Sequence, residues 1–137
     1  MKSKSVAQLK KQADKYFSIM VRYRDGEKRS DGWWVECITC SEWKPLKQMQ
    51  AGHFVSRKVN SLRFDETNVN SQCPTCNVFK RGEQYLYSKA LDFKYGDGTA
   101  EELMNRRFET HKFTITELEE IIHDAKEQIK FYENKVS

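Results

Sequence analysis

The stretch NVNSQCPTCNVFK, residues 68–80, holds Cys73 and Cys76 two residues apart, flanked by Asn68 and Asn77. The same spacing occurs once more, in CITC at 37–40, so that 32 residues separate two C-x2-C knuckles. Two such knuckles can place four thiolates around one zinc ion, each sulfur about 2.3 Å from it. Two disulfides are the competing arrangement. The N-terminal MKSKSVAQLKKQ has lysines but no apolar run after them, which is not a secretory signal. A reducing, intracellular setting is therefore expected, and it disfavours disulfides. Adjacent C-x2-C cysteines also pair only under strain unless they serve redox chemistry, and a thioredoxin-like site needs one pair, not two. Zn2+ held by Cys37, Cys40, Cys73 and Cys76 is the expectation. With sulfur in all four positions no place is left for water, so the ion is structural.

Working outward, the chain has 137 residues, 38% hydrophobic and 32% charged, which suits one modest domain over 1–137. No apolar run approaches the ~20 residues of a membrane-spanning helix. Net charge is +4, unevenly placed: residues 1–94 hold 18 Lys/Arg against 10 Asp/Glu, residues 95–137 hold 6 against 10. The basic excess lies on the part with the cysteines. It suits a polyanionic partner, nucleic acid being the usual one, although a solvated surface also carries such charge.

Three parts follow from the pattern. Residues 1–31 form an N-terminal helix and loop: Val6, Leu9, Ala13, Phe17, Met20 and Val21 recur at helical spacing after Ser5, a suitable N-cap, and 25–32 reads as a turn. Residues 32–94 form the zinc-stabilised core. Within it, 32–40 reads as a strand, 47–57 as a second extended segment, 63–72 as a loop, and a helix is expected from Pro74 to Gly82, with more helix through 83–93. Residues 95–137 are helical. Thr99–Glu102 and Thr114–Glu117 both have the capping-box form, and Leu118, Ile122, Ala125, Ile129 and Tyr132 make one stripe. The fold class is α+β. Segment 41–72 reads as loop-rich and short of large apolar residues, so zinc would supply folding free energy that a small core lacks.

The knuckles draw their flanks together, which brings His53 of AGHFVSRK toward Asn68 and Asn77. A solitary histidine is more often a surface or core residue than a catalyst. In this setting, however, C-x2-C, then GHF, then NVNSQCPTCNVFK resembles the zinc-containing branch of the HNH (ββα-metal) nucleases in a His–Asn–Asn form. The residues CITC, AGHFVSR, LRFDETNVNSQCPTCNVFKRG and THKFTITELEEI resemble more closely still the phage NinG family of Rap-like recombination endonucleases. That resemblance implies a ββα-metal core flanked by N- and C-terminal helices. The implied activity is a structure-selective DNA endonuclease acting on Holliday junctions and D-loops in a phage-infected bacterial cytoplasm.

The residue types suit that chemistry. An imidazole titrates near neutral pH and can take a proton from water, the role of His53. By resemblance, Asn68 holds that imidazole by accepting its other ring N–H. Asn77 offers a hard amide oxygen to Mg2+ or Mn2+. Many HNH enzymes carry Asp or His just before the base; here that residue is Gly52. Side chains alternate along a strand, so Gln50 faces the same way as Gly52 and is the expected substitute ligand. Arg57, Arg63, Lys80 and Arg81 lie close enough in sequence to contact phosphates. Trp33 and Trp34 either stack on exposed bases or pack beside the knuckle. His111 serves a helix start, His123 a helix surface, and Glu83 could approach the metal.

The main alternative is a zinc-stabilised DNA-binding module without catalysis, for which Gly52 is the best support. A sequence-specific restriction or homing nuclease is a further alternative, against which the NinG-like C-terminal stretch argues. The acidic C-terminal helix either packs back on the core or forms a homodimer. A phage recombinase is a possible partner of such an enzyme.

Overall fold

The computed structural model describes residues 4–135. Helix α1 runs Val6–Arg24. Ser5 accepts a hydrogen bond from the Gln8 amide while the Gln8 side chain accepts one from the Ser5 amide, a reciprocal cap. Leu9, Ala13, Phe17, Met20 and Val21 form its buried face, as the spacing predicts. At the other end of the chain α5, Ile115–Glu133, starts at Thr114, which accepts from the Glu117 amide. Leu118, Ile122, Ala125 and Ile129 are buried. The two helices pack together: Leu9 and Ala13 meet Phe113, Leu118 and Ile122, and Phe17, Met20 and Val21 meet Ala125 and Ile129. The acidic C-terminal segment thus lies on the N-terminal helix of its own chain.

Between them stand two small antiparallel sheets. The first has the order β1 (Gly26–Arg29), β2 (Gly32–Glu36), β3 (Trp43–Pro45). The second pairs β4 (Gln50–His53) with β5 (Val69–Gln72), setting Gln50 opposite Gln72 and His53 opposite Val69. Helix α2 (Asn60–Arg63) lies in the connection, and α3 (Gln84–Tyr95) and α4 (Thr99–Asn105) follow. The protein is α+β.

Several local readings are corrected. Residues 25–32, expected as a turn, contain β1, whose polar strand is held by pairing with aromatic β2. Residues 63–72, expected as a loop, end in β5. All four residues of β5 are buried, three of them polar, so no alternation of apolar and polar residues announces the strand. The helix expected over 74–82 is a single wide turn at Thr75–Phe79; left-handed Arg81, Gly82 and Glu83 follow it, and α3 begins where more helix is expected. Helix α4 starts at Thr99, as expected, but its N-cap is Gly98 and no capping box forms. The Asp92 carboxylate accepts the Ala100 amide at 3.0 Å, and Thr99 Oγ1 donates to the Gly96 carbonyl. Segment 41–72 is less apolar-poor in effect than in composition. Its Phe54, Val55 and Leu62 form a core with Tyr87, Leu91, Ala100 and Leu103.

Candidate active site and metal centre

Cys37 follows β2, Cys73 follows β5, and each knuckle turns its second cysteine back toward the first. The four sulfurs lie within 4.8 Å of one another, and Cys40 Sγ is 3.7 Å from Cys73 Sγ. Tetrahedral zinc with ~2.3 Å bonds requires sulfurs about 3.8 Å apart, so the cluster could hold a zinc ion. All four cysteines are free. Burial disfavours the Cys37 thiolate, but the Thr39 hydroxyl and backbone amides outweigh it and bring that thiol down to about 7. Burial and the neighbouring sulfurs push Cys40 up to about 12. Four thiolates at this spacing need a cation between them. Val35, Met49 and Leu46 close around the cluster.

A cavity of about 300 Å³ along β4 is lined by His53, Gln50, Asn77, Arg57 and Arg63, and by Asp14, Ser18 and Arg22 of α1. His53 Nε2 lies 3.0 Å from the Arg63 carbonyl oxygen. A carbonyl only accepts, so Nε2 carries the hydrogen and Nδ1 is left as the proton acceptor. Burial lowers the His53 pKa below its ordinary value; the Arg63 carbonyl and Asp14 oppose this, and Arg57 and Arg63 reinforce it. The imidazole is therefore neutral, and able to take a proton, at neutral pH.

Asn68 does not hold that imidazole. It is fully buried, with Oδ1 accepting the Val55 amide at 2.8 Å and Nδ2 donating to the Val55 and Leu62 carbonyls at 3.0 and 3.1 Å. It ties together the connection that follows His53. The histidine's partner is a main-chain carbonyl, which no side-chain motif can reveal.

Asn77 Nδ2 donates to Gln50 Oε1 at 2.7 Å, which leaves Asn77 Oδ1 without a hydrogen-bond donor among the described residues. Gln50 thus reaches the cavity, whereas Gly52, on the same face of β4, is covered by Gln72 and does not line it. A Cβ on Gly52 would stand 1.9 Å from Gln72 Oε1, and Gln72 is fully buried and tied through Nε2 to the Gly82 carbonyl at 2.9 Å. Gly52 is dictated by close packing in the interior. A Gly52→Asp change is expected to lower stability by about 3 kcal/mol, since it overpacks the site and buries a charge without a partner. Thermal melting beside the wild type checks this, and a stable, unshifted variant would contradict it.

The arginines divide. Arg57 and Arg63 line the cavity; Lys80 and Arg81 are exposed at the end of the wide turn and do not. Arg63 grips both oxygens of Asp14 through Nε and Nη2, and its Nη1 donates to the Arg57 carbonyl at 3.1 Å. Arg22 was not singled out from the sequence. Its Nε donates to the Ser18 carbonyl and its Nη1 to those of Leu46 and Met49. Burial lowers its pKa, and among the described residues no carboxylate forms a salt bridge with it. A helix arginine among lysines gives no signal of such a place. Asp14 went unnoticed for the same reason.

The remaining candidates lie elsewhere. Trp33 packs on Tyr23 and Tyr132, at ring separations of 5.1 and 5.9 Å. Trp34 donates to Asp31 and lies 5.1 Å from the Arg29 guanidinium, which is 4.8 Å from Trp43. His111 bonds Glu117 at 2.7 Å beside the start of α5, and His123 is exposed on α5. Glu83 is half-buried before α3 and does not line the cavity. Among the described residues no helix is long and apolar enough to cross a membrane.

The family described as Bacteriophage Lambda NinG protein matches residues 1–135. Protein ninG of Escherichia phage lambda is 28% identical over 128 residues, 93% of this chain and 58% of that protein. Protein ninG of Salmonella phage P22 is 28% identical over 121 residues, 88% of this chain and 55% of that protein. Protein ninG of Enterobacteria phage H19B is 29% identical over 128 residues, 93% and 59% respectively. The chain therefore spans less than three fifths of the length of these curated relatives. No solved structure matches it. The match spans both knuckles, the cavity and the helices that enclose it, and the chain belongs to the NinG family.

Proposed function

We propose that the chain is a metal-dependent DNA endonuclease of the HNH type, Rap-like in hydrolysing phosphodiester bonds of branched recombination intermediates in phage DNA. The observation that carries this reading is one cavity holding an imidazole with a defined acceptor nitrogen, a free amide oxygen and three guanidinium groups. In this reading β4, β5 and the turn bearing Asn77 correspond to a ββα-metal core.

His53 Nδ1 takes the proton of the attacking water while Nε2–H stays on the Arg63 carbonyl. Arg22 and Arg57 receive the phosphate, whose negative charge rises in the transition state. The hard oxygens of the cavity are Asn77 Oδ1, Gln50 Oε1 and the Arg63-bound Asp14 carboxylate, a donor set that suits Mg2+ or Mn2+ in kind. Asn77 would hold such an ion, with Gln50 beside it, and the ion would supply charge stabilisation at the phosphate and the departing 3′-oxygen. The products expected are 5′-phosphate and 3′-hydroxyl ends. Preference for Holliday junctions and D-loops rests on the family resemblance, as does a recombinase partner. Two opposed nicks at a junction favour a homodimer.

A labelled four-way junction and its matched duplex, offered with Mg2+ or Mn2+ to wild type and His53→Ala, test the reading. Wild type is expected to cut the junction and the variant to be about 10²–10⁴-fold slower. Because burial lowers the His53 pKa, the wild-type rate should fall at a lower pH than an ordinary histidine would give. Junction binding without cutting by either protein would favour the non-catalytic DNA-binding module instead. That alternative drew its support from Gly52, which the packing of Gln72 explains without any loss of function.

A further inference from the structure

We infer that Asp14, on the N-terminal helix, is a positioning residue for His53, acting through the side chain and then the main chain of Arg63. The inference rests on the nuclease reading for its consequence in catalysis, but its geometry stands on hydrogen bonds alone. Asp14 takes Arg63 Nε at 2.9 Å on Oδ1 and Nη2 on Oδ2, a two-pronged grip in which the charged atoms are mostly shielded from water. The same Arg63 gives its carbonyl oxygen to His53 Nε2 at 3.0 Å. Arg63 is the last residue of the four-residue helix α2, which has no side-chain cap at Val59. So short a helix has little stability of its own and takes its position from what holds it. Asn68 binds the Leu62 carbonyl, Asn60 and Ser61 reach the His111 and Glu109 carbonyls, and Asp14 alone binds the Arg63 side chain from α1's side.

The consequence is a relay from carboxylate to guanidinium to carbonyl to imidazole. It fixes which ring nitrogen of His53 bears hydrogen, and thus which one faces a water. It also gives α1, packed on α5, a part in the site that its sequence does not announce. A structural brace alone would leave the ring nitrogens as they are when α2 shifts; a positioning residue would not.

The deciding measurement is the ring-nitrogen NMR spectrum of nitrogen-15-labelled protein, at a pH where the imidazole is neutral, with His53→Gln used to assign the signals. Wild type is expected to show His53 as a single tautomer protonated at Nε2. Asp14→Asn, nearly the same size, is expected to show a mixture of tautomers. Loss of such a supporting partner should slow junction cleavage about 10–100-fold. Asp14→Glu, which restores the charge, should recover part of both. Unchanged His53 signals in Asp14→Asn, whatever its melting temperature, would overturn the inference. Should Asp14→Asn not fold, Arg63→Lys, which keeps the charge but not the fork, is read in the same way. If wild type cuts no DNA, the nuclease reading fails while the nitrogen spectrum still decides the role of Asp14.

Discussion

Stripping zinc with a strong chelator, or replacing Cys73 by serine, is expected to unfold the protein. Cys37 and Cys73 are fully buried, and the cluster joins the end of β2 to the end of β5, so it links the two sheets. A structural zinc site contributes apparent binding free energy on the order of 10–16 kcal/mol, against a net stability of about 5–15 kcal/mol for an ordinary domain. Without the ion, four sulfurs within 4.8 Å of one another would have nothing to hold them together. The measurement is metal content together with far-UV circular dichroism during chelation. One zinc per chain is expected, with helical signal lost on its removal and regained on its return. A chain that keeps its melting temperature without zinc would refute the structural role.

The second large effect is expected at Asn68. Its truncation to alanine leaves the Val55 amide and the Val55 and Leu62 carbonyls buried without a side-chain partner. Each such group costs about 1–3 kcal/mol, so a loss of about 3 kcal/mol or more is expected. It should be read as a shift in the urea midpoint. The same bonds place α2, so cleavage should fall along with stability. An Asn68→Asp variant should do no better, because its carboxylate would face two carbonyl oxygens. If Asn68→Ala were as stable as wild type and only slower, the residue would touch the reacting groups rather than brace their carrier.

The resemblance placed Asn68 on the His53 ring, whereas its hydrogen bonds go to the connection that follows His53. His53, Gln50 and Asn77 do meet in one cavity, with Arg57 and Arg63 beside them, whereas Lys80 and Arg81 stay outside. The reason lies in the wide turn after Cys76: it carries Asn77 toward Gln50 and leaves the residues that follow in solvent.

What the sequence determined by itself are features whose physics is local or carried by ligand chemistry. The apolar stripes of α1 and α5, the caps at Ser5 and Thr114, and the two knuckles require only neighbours within a few residues and sulfurs that a metal can gather. What tertiary structure alone decided are features that depend on partners distant in the chain. Strand β5 exists because its buried polar residues find partners such as Tyr87, Gly82 and Asp25, far from any alternation a strand shows by itself. Gly52 is a glycine because Gln72 lies against it. The His53 ring is held by a carbonyl ten residues away, on a residue gripped by an aspartate in the first helix. A backbone oxygen is the same in every residue, so a sequence carries no mark of which one will hold the histidine.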